Sequence, residues 1–168
     1  MQTMIGITAE NRVIVAHQLA KLLADEFVLY TKTRHAHWNL EGPDFYDKHK
    51  FFEVQFEQLD EVMDSVAERI RSLGHYAPAT LKSFLSLTHL TEVSRSKNDS
   101  HGFIVELLSD HESIVIQLRE NINRFATDYG DIGSSDFITG LMGKPAAPRY
   151  YDAVGKANQG QRYYYFKR

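Results

Sequence analysis

Apolar side chains recur at spacings of three and four along most of the chain, and strict alternation is scarce, so the pattern predicts helices rather than strands. Thr8 or Asn11 can cap a first helix running to about His37, with Val15, Leu19, Leu22, Leu23, Phe27 and Tyr30 as its apolar stripe. Glu41, Gly42, Pro43 and Asp44 break that helix, and Pro43 suits the first turn of a second. Phe52, Phe56, Leu59, Met63, Val66, Ile70 and Leu73 then alternate at fours and threes up to Gly74, which marks a packing seam. A short helix near Leu81 to Leu87 precedes caps at Asn98, Asp99 and Ser100 for a third long helix. Its buried side carries Phe103, Leu107, Leu108, Ile114, Val115, Leu118, Ile122 and Phe125. A fourth helix is expected from Ser134 or Ser135, where Asp136 favours the N-terminal dipole. It stops after Met142, because Gly143, Pro145, Pro148, Gly155 and Gly160 follow. The expected fold class is therefore all-α, three long helices and one shortened or irregular helix sharing a core.

Composition agrees with one soluble domain, since 43% of the 168 residues are hydrophobic and 24% charged. The formal charge of −3 conceals a split: residues 1–142 hold 13 basic and 21 acidic side chains, whereas residues 143–168 hold 6 and 1. An acidic domain over 1–142 thus carries a basic, Tyr-rich tail over 143–168. The absence of Cys excludes disulfides, zinc-thiolate sites and thiol nucleophiles, and is compatible with a reducing cytosol. No apolar run approaches the roughly 18 residues of a membrane span, and the first residues lack the pattern of a secretory signal. A cytoplasmic protein with no membrane partner is expected.

Metal-ligand chemistry concentrates around the second helix. His37 ends helix one, His49 and Glu53 stand one turn apart early in helix two, and Asp64 and Glu68 stand one turn apart late in it. At about 100° per residue the four helix-two groups share one face beside the apolar seam. Asp64 nevertheless lies 15 residues beyond His49, about 22 Å at ~1.5 Å per residue, so one helix cannot bring both ends to one metal. A two-fold axis near Gln58 would set two copies of helix two antiparallel and pair the His49 end of one with the Asp64 end of the other. Such a set of imidazole and carboxylate suits iron or manganese and can hold zinc. The same acids, with Glu57, Asp60 and Glu61, also suit an ordinary solvated face.

His37-Trp38-Asn39, Gly42, Phe45, His49, Asp64, Ala67-Glu68-Arg69 and Leu73-Gly74, followed later by Asp128 to Asp136, resemble the signature of the Dps family, the miniferritins or DNA-binding proteins from starved cells. The resemblance covers roughly residues 8 to 142. It implies a ferritin-like four-helix bundle with a short helix between helices two and three, assembled as a hollow dodecamer with di-iron sites between two-fold-related subunits. His37 and His49 would be ligands from one subunit, and Asp64 and Glu68 ligands from its partner. Glu53 occupies a position where the family often has an Asp ligand. Trp38, the single Trp, resembles an aromatic neighbour of the site suited to accepting oxidising equivalents, and it is equally suited to packing between helices one and two. Asp131 and Asp136 match acids lining three-fold entry pores, where clustered carboxylates would concentrate Fe²⁺, and Asp128 could assist.

The implied function is a ferroxidase and iron-storage cage that oxidises Fe²⁺, preferably with hydrogen peroxide, and mineralises Fe³⁺, protecting the cell and its DNA. The alternative is an architectural DNA-protecting protein, nucleoid-associated, with a slow or structural metal site. After Met142 the family pattern stops at one residue, which fits either a genuine basic extension or a shifted reading frame. Six basic residues interleaved with Tyr150, Tyr151, Tyr163, Tyr164, Tyr165 and Phe166 suit non-specific DNA through phosphate contact and base stacking, or a surface tail with no ligand.

Overall fold

The computed structural model describes residues 5–92 and 97–142, and within them every regular element is helical. In order these are α1 (Ala9–Asn39), α2 (Phe45–Ser72), the short α3 (Leu81–Leu87), α4 (Ser100–Asn123) and α5 (Ile132–Met142), with a π-helical turn over Arg124–Asp128. Four of the starts carry side-chain caps: Thr8 accepts from the Asn11 N–H, Thr80 from Ser83, Asp99 from Gly102 and Asp131 from Ser134.

Side-chain pairs set the helix directions. Tyr30 meets Phe56, His37 meets His49, and Arg12 donates to the Leu73 carbonyl, so residue numbers in α1 fall as those in α2 rise. Lys32 pairs with Glu106 and Asp110, and His35 meets Phe103, which makes α4 antiparallel to α1 as well. Ser135 donates to the Ile122 carbonyl and Arg69 to Ser134, which seats α5 against α4 and α2. The four helices α1, α2, α4 and α5 form a ferritin-like bundle, and α3 packs on α1 through Phe84 stacked on Phe27.

Several boundaries differ from the sequence expectation. Thr8 rather than Asn11 is the cap, and α1 continues two residues past His37. Pro43 lies outside α2, because Gly42 takes φ +131° and Asp44 precedes the first helical residue. The seam of α2 is rotated slightly: Gln55 and Val62 are buried while Phe56 and Met63 are only half-buried. Leu108, Val115 and Ile122 likewise flank the core of α4, whereas Ile104 and His111 lie inside it. The π turn was not anticipated. Within it the Tyr129 N–H reaches back five residues to the Arg124 carbonyl, and Phe125, expected on the buried side, is 1% exposed. The fourth bundle helix begins at Ile132, and the irregular course expected after Met142, with the tail 143–168, lies outside the described residues.

Candidate metal centre

The corner between α1 and α2 is held tightly. The Leu40 N–H caps α1 on Ala36, the Glu41 N–H bonds Asn98, and Ser100 donates to Asp44 at 2.6 Å, so the segment before α4 braces the turn. This sets the last turn of α1 beside the second turn of α2.

There the imidazoles of His37 and His49 stack with centroids 3.7 Å apart. His37 Nδ1 lies 3.0 Å from the His49 carbonyl, and His49 Nδ1 lies 2.9 Å from the His37 carbonyl. A carbonyl oxygen only accepts, so each Nδ1 carries the proton and each Nε2 keeps its lone pair. That is the tautomer in which imidazole binds a metal, with the orienting bond already made. Phe45 stacks on the outer face of His49 and Phe56 meets His37 edge-on, which holds both rings in place. Phe56, read in sequence as core, turns out to be a wall of this pair. Arg34, which sequence reasoning missed, lies over Phe56, Trp38 and Tyr30. Only its spacing one turn before Trp38 and one turn after Tyr30 signals this.

Glu53 is turned onto Lys50 at 2.5 Å. The hydrogen bond from Lys50 and the Lys50 charge hold the Glu53 carboxyl below the usual carboxylate range. The anion is therefore the form available beside the imidazoles. Trp38 is 65% exposed, its ring under the Arg34 guanidinium, so it does not pack between α1 and α2. Asp64 and Glu68 are exposed far along α2, as the rise of the helix requires. Among the described residues of one chain, no three His, Asp or Glu side chains assemble as a metal-binding group. The chain brings His37 and His49 together, Glu53 is held by Lys50 beside them, and Asp64 and Glu68 lie apart from all three.

Asp131, expected at an entry pore, also starts α5. It is 1% exposed, with Oδ1 accepting from Arg69 and from the Ser134 N–H and Oδ2 from the Ser134 hydroxyl. Both oxygens are spent on capping α5, which also displaces Ser134 from the cap role expected of it. Asp136 and Asp128 remain exposed.

A ferritin-like domain model matches residues 16–144. An uncharacterized low temperature-induced protein of Nostoc sp. is 38% identical over 138 residues, covering 82% of this chain and 77% of its own length. The DNA protection during starvation protein of Helicobacter pylori is 34% identical over 62% of this chain and 73% of its own. Among solved structures, the DPS protein of Vibrio cholerae O1, described as a member of a broad superfamily of ferritin-like diiron-carboxylate proteins, superimposes with TM-score 0.79 at 25% identity, covering 94% of this chain and 95% of that one.

Proposed function

Since the chain belongs to the Dps family of ferritin-like proteins, we propose that it oxidises Fe²⁺ with hydrogen peroxide at sites shared between two copies and stores the Fe³⁺ product inside a dodecameric cage. The family role of iron storage and DNA protection supports this coarser reading. Reciprocal bonds between His37 and His49 support the finer one most directly, because they prepare two Nε2 donors on one chain. Asp64 and Glu68 of a second copy complete the donor set, and Glu53 adds a carboxylate once it leaves Lys50.

Fe²⁺ is the substrate here. Asp136, with Asp128, draws it toward the three-fold openings by field focusing. At the shared site the carboxylates stabilise the charge gained on oxidation, and the imidazoles fix the spacing of two ions. Two Fe²⁺ then deliver both electrons to one peroxide, which with two protons leaves as two waters, so no hydroxyl radical is released. Trp38, on the exposed surface beside the pair, is placed to take up a stray oxidising equivalent. No helix of the described residues is long and apolar enough to cross a membrane, and the cytoplasm, around the nucleoid, is the proposed location.

Stopped-flow absorbance of Fe³⁺ formation tests the site. His37→Ala with His49→Ala, or Asp64→Ala with Glu68→Ala, lowers the peroxide-driven rate by at least about a hundredfold. A wild-type rate in either double variant means that the site is wrongly assigned. The architectural reading, in which DNA protection dominates, is favoured instead if both variants still shield plasmid DNA from peroxide and iron as well as the wild type does.

A further inference from the structure

Away from the histidine pair, three side chains from separate parts of the chain form a line. Asp25 comes from α1, His89 follows α3, and Ser113 stands in α4. His89 Nδ1 is 2.7 Å from Asp25 Oδ2, and its Nε2 is 2.8 Å from Ser113 Oγ. The Asp25 carboxylate only accepts, so Nδ1 carries a proton, and in the neutral ring Nε2 receives the Ser113 hydroxyl. Asp25 is itself fixed: its side chain is 1% exposed, and Oδ1 accepts from the Thr88 hydroxyl at 2.7 Å and the His89 N–H at 2.9 Å. The reacting end is open, with the His89 side chain 33% exposed and Ser113 half-buried. A hydroxyl bonded to an imidazole that is oriented by a buried carboxylate is the arrangement that activates serine as a nucleophile, and it recurs on unrelated folds.

We propose that Ser113 is an activated serine that attacks small reactive esters, giving the protein a slow esterase activity distinct from iron oxidation. His89 Nε2 takes the Ser113 proton as the bond from Oγ to the acyl carbon forms. The ester C–O bond breaks and the alcohol leaves with that proton. Water, deprotonated by the same imidazole, then releases the acid and restores Ser113. Ser113 and His89 are the catalytic residues, and Asp25 is a positioning residue.

The same bonds tie residues 88–92 to α1 and α4, so the test must separate activation from bracing. Full-length protein is treated with a fluorophosphonate probe, whose fluoride leaves when serine attacks, and the labelled peptide is identified by mass spectrometry. The expected result is a label on Ser113 that is absent in Ser113→Ala and at least about a hundredfold slower in His89→Gln, which keeps hydrogen-bonding capacity but has no base. Hydrolysis of p-nitrophenyl acetate falls in parallel. Asp25→Asn slows labelling and removes the downfield Nδ1–H proton resonance of His89. If Asp25→Asn does not fold, the exposed His89→Gln carries the comparison alone. No label on Ser113, or equal labelling in folded His89→Gln, overturns the proposal.

Discussion

Glu26 lies on the buried stripe of α1 with Leu22 and Leu29, where burial first and the Asp25 charge second push its carboxyl up to about 8. His111 lies inside α4, where burial pushes its imidazole down to about 4. The two act in opposite directions on stability. For Glu26 the folded chain holds a proton that the unfolded chain releases above pH 4.5, so its contribution is complete below that pH and is lost as pH rises toward 8. For His111 the contribution is complete above pH 6.5 and is lost as pH falls toward 4. Between pH 4.5 and 7 the Glu26 loss is about 3 kcal/mol. Glu26→Gln therefore raises the urea midpoint at pH 7 and leaves it nearly unchanged at pH 4.5, whereas His111→Gln flattens the loss of stability below pH 6.5. Equal midpoints for Glu26→Gln and wild type at pH 7 contradict the burial of a proton there. Glu26 was legible in principle, since positions 22, 26, 29 and 33 share one helical stripe. A charged letter in an apolar stripe signals burial only once the opposing helices are known.

At the scale of elements, α5 depends on one cap. Asp131→Ala removes the acceptor of the Ser134 N–H and leaves the Arg69 guanidinium, 26% exposed, without its carboxylate. The expected loss is about 1–2 kcal/mol, discounted because Arg69 reaches solvent, with faster amide exchange concentrated in residues 132–142. Gly133→Ala tests the same contact from the other side, because its Cβ would stand 2.9 Å from Arg69 Nη2. Unchanged exchange in both variants would show that α5 is held elsewhere. The long helices were readable because period and caps agree over many turns, as at Thr8 and Asp99. The errors fell where geometry overrides composition: Pro43 outside α2, the π turn over Arg124–Asp128, and Asp131 rather than Ser134 starting α5. For the candidate site, the two histidines and their spacing were visible. The stacking of Phe45 and Phe56 on them was not, since it requires the register of α1 against α2.

Across the whole molecule, one chain leaves Trp38, Phe45, Tyr46 and Val54 exposed near the histidine pair, a surface suited to cover by a second copy. Native mass spectrometry is expected to give twelve times the 19.3 kDa chain. A monomer would remove every shared site. The acidic domain and basic tail make DNA binding, on this account, a property of residues 143–168, so ending the chain at Met142 abolishes salt-sensitive gel retardation, and unchanged retardation contradicts that role. The central claim is that each iron site takes its histidines from one chain and its acids from another. Co-expressing the His37→Ala/His49→Ala chain with the Asp64→Ala/Glu68→Ala chain tests it directly by stopped-flow iron oxidation. Mixed pairs hold one intact site, so the account predicts recovery of about a quarter of wild-type activity from two inactive parents, the statistical yield for two-fold pairing. No recovery from a folded, mixed assembly would contradict it.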